Sequence, residues 1–229
     1  MIQIDKIQQK IRDDIVAGRL PFGARVTIAE LATRYNVSTM PIREALRALQ
    51  GEGLLTIEPN RGARIRTVDH TFVSNIFDIR GALEVLLVRR VVEHVTRADL
   101  LALEEIQNRY ERCIENHDFE EAVLVNREFH TRLNSIAQNP DAVELLDRHW
   151  FLIAALWHRF ENGPERFSGE LEDHRHIIKA LAARDVDAAA TLMGAHVVRA
   201  RHILLGRMER DLLSSNAPKE VETALSGVN

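Results

Sequence analysis

One cysteine, two tryptophans, two tyrosines and six prolines among 229 residues already exclude several architectures. The lone Cys113 can close no internal disulfide, so a disulfide-stapled scaffold is ruled out; its apolar neighbour Ile114 fits a reduced thiol that serves as filler. The longest aromatic-aliphatic run, Trp150 to Trp157, falls well short of the roughly 20 apolar residues that a membrane span requires. Asp5 and Lys6 leave no room for the apolar core of a signal peptide. These absences predict a cytoplasmic protein with no membrane partner. Disorder is excluded too, because 45% of the residues are hydrophobic and the chain is long enough for one large domain or two modest ones.

The formal net charge of -4 does not by itself suggest a nucleic-acid partner, but its distribution does. Residues 1–66 carry 11 Lys/Arg against 7 Asp/Glu, a net of +4, whereas residues 67–229 carry 19 against 27, a net of -8. A basic head is joined to an acidic body. All ten histidines lie in that body, which makes a metal or a pH-sensitive site worth seeking there.

Ile4, Ile7, Ile11 and Ile15 recur at helical spacing, and Gly18, Pro21 and Gly23 end the pattern, which predicts a helix over Asp5 to Ala17. Thr27 and Glu30 form a capping box for a second helix. Asn36, which tolerates the left-handed conformation, turns the chain into a third helix carrying Ile42, Ala45, Leu46 and Leu49. Leu55 to Ile57 and Ala63 to Ile65 read as two short strands around a basic tip. Three helices and a hairpin make a winged helix over 1–66. A linker over 67–70 follows, and downstream only helical spacing remains: Phe72, Ile76, Ile79, Leu83 and Leu86 first, then a helix opened by Thr96 and Asp99. Asn139-Pro140 and Asn162-Gly163-Pro164 break the chain, and Ser168 to Ala183 and Val186 to Leu213 supply the last helices. The expectation is a mainly α protein: a winged helix-turn-helix, then an all-α bundle over 71–213 that serves effector binding and dimerisation, then a disordered tail over 214–229.

The start of the third helix can enter a major groove, and the residues assigned to DNA contact are Ser38, Thr39, Met40, Arg43 and Arg47 with the wing-tip residues Asn60, Arg61 and Gly62. Arg43 and Arg47 share a face opposite Ile42, Leu46 and Leu49, so one side packs while the other reads. The alternative is a merely solvated basic face. Ile15 to Gly23, Glu30-Leu31-Ala32, Val37 to Leu49 and Glu52 to Leu55 resemble the N-terminal domain of GntR-family transcription regulators. Thr39 departs from the pattern, since many relatives have a base-contacting Arg there; the resemblance implies one guanine contact fewer.

Asn126 and His130 are four apart and so about 40° apart around a helix, close enough to grip one ion. His174 and His196 sit on later helices. Imidazoles from three helices with a side-chain oxygen suit Zn, Ni, Cu or Fe, but ten histidines often give such a set by chance, and ordinary hydrogen-bonded histidines remain open on spacing alone. His149, His158, His176 and His202 are expected to be solvated or hydrogen-bonded, and Trp150 and Trp157 to be core or dimer contacts. Asn126 to His130, His174 to Leu181 and Met193 to His196 resemble the FCD effector domain of the FadR subfamily. Metal-binding members hold an Asp and three His at the matching positions. The resemblance therefore implies a divalent metal, Zn first and Ni, Fe or Cu next, on Asn126, His130, His174 and His196. Asn126 is the weaker ligand, so Asn126→Asp is expected to tighten binding. Acyl-CoA-binding members lack these histidines.

Arg80 resembles a family position that often faces the pocket and would grip an effector carboxylate; the alternative is an ion pair with Glu84 one turn on. The leading reading is a homodimeric, ligand-responsive repressor, not an enzyme, that binds a short near-palindromic DNA operator and a small carboxylate. The resemblance favours release from DNA by ligand. Two other readings are an architectural DNA binder with a silent body and a metal-dependent hydrolase, the second lacking any evident general base.

Overall fold

The computed structural model describes residues 3–59, 61–160, 167 and 169–216. Asn60 at the wing tip, the Asn162-Gly163-Pro164 break, Ser168 and residues 217–229 lie outside them, as does the side chain of His149. In the head, α1 (Gln3–Val16), α2 (Ile28–Tyr35) and α3 (Thr39–Gly51) bury Ile7, Ile11, Ile15, Leu31, Ile42, Ala45, Leu46 and Leu49 against one another. Thr27 and Glu30 close the expected capping box at α2. Asn36 ends that helix in the left-handed region at φ 52, donating its backbone N–H to the Ala32 and Thr33 carbonyls. This turn sets α3 across α2.

The wing holds three strands rather than the expected two. The strands β2 (Leu55–Glu58) and β3 (Gly62–Ile65) pair antiparallel with Leu55 opposite Ile65, and β1 (Arg25–Val26) adds to the far edge of β3. Two residues are too few to show an alternating pattern, so β1 exists only because its partner strand is there. The edge explains Gly62, whose φ is 91 and where a Cβ would overlap the Val26 carbonyl oxygen and crowd Thr27. Glu58 ties the wing together by accepting from Arg64 Nε at 3.0 Å and pairing with Arg25 at 2.8 Å.

Among the described residues six helices form the body: α4 (His70–His94), α5 (Arg97–Glu115), α6 (Phe119–Ser135), α7 (Pro140–Arg159), α8 (Glu170–Ala182) and α9 (Val186–Asn216). Side-chain caps start α4, α5, α6 and α7, from Asp69, Thr96, Asp118 and Asn139, whereas α8 starts from Gly169 without one. The last helix runs to Asn216, past the expected end at Leu213, so the first residues assigned to a disordered tail are helical. α4 and α9 pack along each other, α5 pairs with α6 and α8, and α7 closes the bundle against α4 and α6. Its other side meets α1 of the head, across a cleft of about 520 Å³ lined by Arg12, Glu52, Arg127, Asp147 and Phe151. Trp150 and Trp157 are both buried core residues. Among the described residues no helix is long and apolar enough to cross a membrane.

Candidate metal centre and DNA face

Three helices bring three buried imidazoles together. One turn of α6 carries Asn126 and His130, α8 carries His174 and α9 carries His196, all at most 4% exposed. One nitrogen from each histidine lies within 4.8 Å of the others, and His130 Nε2 and His196 Nε2 are 3.2 Å apart. Helical phase alone separates His174, fully buried, from its neighbour His176, which is exposed. His158 and His202 are exposed as well, as expected.

The tautomer of His174 follows from a chain of hydrogen bonds. Arg175 donates to both oxygens of Glu111 at 2.7 Å, and Gln107 Nε2 donates to Glu111 Oε1 at 3.0 Å. A carboxylate only accepts, so the Gln107 amide must turn its nitrogen to Glu111 and its oxygen to His174 Nδ1, 2.8 Å away. Nδ1 therefore carries the proton. Nε2 is left as a bare lone pair, buried and without a partner among the described residues. His130 Nδ1 lies 3.2 Å from Glu84 Oε2 and His196 Nδ1 lies 3.4 Å from Asp173 Oδ2, oblique contacts that likewise favour the proton on the outer nitrogen.

Burial pushes the imidazole of His174 far below its ordinary pKa and lowers that of His130, where Glu84 opposes the shift. Burial also works against ionised Glu84, yet Arg80 and then His130 outweigh it and hold this carboxyl well below the usual range. The inner Nε2 atoms of His130 and His196, 3.2 Å apart, either share one proton in a hydrogen bond or, with both protons on the outer nitrogens, turn two lone pairs toward a cation between them. Two imidazoles on one divalent ion place their nitrogens roughly 3.0–3.4 Å apart, from metal–nitrogen bonds of about 2.1 Å and angles of about 90–109°. The donor set thus fits a transition metal. Phe129 stacks on His174 with centroids 4.1 Å apart and keeps that side dry.

Arg80 is 5% exposed, and both its Nε and Nη2 reach Glu84 Oε1, at 2.8 and 2.6 Å. Of the two roles weighed for Arg80, the ion pair with Glu84 is therefore present. Trp150 covers the guanidinium at 5.2 Å, and the cavity shared by Arg80, His130 and Trp150 measures only about 20 Å³, room for roughly one water.

On the head, Ser38, Thr39, Met40, Arg43 and Arg47 are exposed along one side of α3, and Met40 is 65% exposed. Ser38 stands at the N-cap but makes no side-chain capping bond. Arg47 pairs with Glu44 at 2.8 Å, and Arg61 is exposed at the wing tip. Gly62, assigned to DNA contact by its position, is required by the packing of β3 on β1.

The spacing of single residues gave no sign of Gln107, Tyr110, Glu170 or Asp173, polar groups around the histidines. Gln107 and Tyr110 come from α5, while Glu170 and Asp173 lie within about a turn of His174 on α8; only the step from Arg80 to Glu84 was legible.

Comparison with known proteins gives two family matches: "Bacterial regulatory proteins, gntR family" over residues 3–65 and "FCD domain" over residues 75–199. The HTH-type transcriptional repressor RspR of Escherichia coli is 29% identical over 84% of this chain and 84% of its own. The Nta operon transcriptional regulator of Aminobacter aminovorans is 30% identical over 76% of this chain and 81% of its own. The solved structure of E. coli McbR/YncC, 24% identical, shares the fold with a TM-score of 0.77 over 91% of this chain and all of that one.

Proposed function

Because the chain belongs to the GntR family of bacterial regulatory proteins and carries an FCD domain, we propose that it acts as a homodimeric, cytoplasmic repressor whose body binds a divalent metal, Zn first, and a small carboxylate effector. The protein is a DNA-binding transcription regulator and not an enzyme. A single observation carries the metal reading: one ring nitrogen from each of the buried His130, His174 and His196 converges within 4.8 Å, and His174 Nε2 has no partner among the described residues. The proposed ligands are His130, His174 and His196 with Asn126 as the neutral fourth. Bound there, the ion supplies open coordination positions for an anion.

Arg80 would take the other end of the effector. Its present partner is an internal carboxylate, Glu84, so a ligand's carboxylate has to displace Glu84 and widen the cavity beside Trp150. Trp150 lies on α7, the helix whose Asp147 and Phe151 face the head across the cleft. A shift of α7 thus reaches α1, and through it α3 with Ser38, Thr39, Met40, Arg43 and Arg47, the proposed readers of the major groove, while Arg61 contacts the backbone. Two-fold dimers require a near-palindromic operator.

The test uses metal-loaded and chelator-treated protein in a thermal-shift screen of small carboxylates, followed by anisotropy titration of DNA from upstream of its own gene. The expected result is metal-dependent stabilisation and an operator affinity about 5- to 150-fold lower with ligand. Arg80→Ala should abolish the ligand response, and Arg43→Ala should cost about 1–3 kcal/mol of operator affinity. Tight ligand binding that leaves operator affinity unchanged rejects the control mechanism and favours a silent body.

A further inference from the structure

Asn126 stands where metal-binding relatives of this fold were expected to carry a carboxylate, and the missing charge reappears beside it. Glu170, the first residue of α8, is 7% exposed. Its Oε1 accepts from Asn126 Nδ2 at 3.1 Å, and its Oε2 accepts from the Tyr110 hydroxyl. Because a carboxylate only accepts, Glu170 forces the amide nitrogen toward itself and the amide oxygen away. That oxygen, Asn126 Oδ1, is buried and has no hydrogen-bond partner among the described residues. It lies one turn before His130 on the same face of α6, and His174 Nε2 is bare in the same way.

Tyr110 also packs its ring against His174, with centroids 5.6 Å apart, and Glu170 shares a small cavity with His196. Among the described residues, though, the group whose atoms converge within 4.8 Å contains the three histidines without Glu170. Glu170 stands behind the ligands. We propose that Glu170 is the positioning residue of the metal site: it turns Asn126 Oδ1 inward as a neutral ligand and supplies from the second layer the negative charge that an aspartate at this position would carry. This rests on the metal reading above.

One consequence reverses the expectation drawn from ligand charge alone. Asn126→Asp would set two carboxylates at hydrogen-bond distance and delete the donor between them, so the gain in ligand charge is offset by repulsion. The benefit of Asp should emerge only once Glu170 is neutral. The effect of Glu170→Gln should therefore change sign with the residue at 126.

The experiment titrates the chelator-stripped full chain with Co²⁺, read by its d–d absorption, in wild type, Glu170→Gln, Asn126→Asp and the double variant, with melting of each apo form as a folding control. Expected are a roughly 10- to 100-fold loss of affinity for Glu170→Gln, no tightening for Asn126→Asp, and a double variant about tenfold or more tighter than Asn126→Asp. Tightening by Asn126→Asp alone, or an equal loss from Glu170→Gln in both backgrounds, overturns the proposal while leaving the metal reading in place. Failure of wild type to take up Co²⁺ overturns both. If Glu170→Gln does not melt cooperatively, Asn126→Asp alone decides.

Discussion

Gln107 Oε1 accepts a hydrogen bond from His174 Nδ1 at 2.8 Å, and Glu111 fixes the amide in the orientation that makes this possible. Gln107 never touches the proposed ion, yet it determines which ring nitrogen is available. Gln107→Leu should lower metal affinity about 10- to 100-fold, measured by competition with a chromophoric chelator. Unchanged affinity would show that the tautomer is set by something other than this chain of bonds.

Arg80 and Glu84 form an ion pair in which both partners are nearly inaccessible, 5% and 1% exposed. Arg80→Met removes the main compensation for a buried carboxylate and should cost the metal-free protein about 3–5 kcal/mol in urea unfolding. Arg80→Met with Glu84→Leu should recover most of that loss, because the penalty lies in the stranded charge. A double variant as unstable as the single would place the damage in packing instead.

Asp14 links α1 to its neighbours by accepting from Arg19 Nε at 2.7 Å, Arg34 Nη1 at 3.0 Å and the Tyr35 hydroxyl at 2.9 Å. Burial pushes its carboxyl up, but the bonds from Arg19, Arg34 and Tyr35 win and hold it below the usual value. A carboxyl lowered in the folded state stabilises above its ordinary pKa and loses that contribution as pH falls through the lowered one. Asp14→Asn should therefore destabilise the protein by about 1–3 kcal/mol at neutral pH, with the difference from wild type shrinking below about pH 4. Urea titrations at pH 7 and in the acid range test this; a difference independent of pH rules out the electrostatic origin.

Gly62 opens β3 with a backbone conformation that disfavours side chains and in contact with the Val26 carbonyl. Gly62→Ala should weaken DNA binding through the wing's shape and lower stability by at least about 1–3 kcal/mol. If Gly62→Ala weakens operator affinity with no change in melting, the glycine acts through direct approach to DNA rather than through strand packing.

Periodicity and caps in the sequence determined most of the architecture. The isoleucines of α1, the Thr27–Glu30 and Thr96–Asp99 boxes and the Asn36 turn each act within one or two turns of chain, so a linear reading recovers them. The same locality made Asn126 and His130 a pair, and the exposed side of α3 could be read from its buried one. Tertiary structure alone decided what depends on distant segments meeting: the two-residue β1, called into being by β3, and the polar layer of Gln107, Glu170 and Asp173. Gln107 and His174 are joined through a bundle contact that no spacing encodes, and the charge expected at position 126 is carried by α8. A ligand residue is announced by its own chemistry. The residue that orients it is an ordinary polar side chain until packing brings the two together.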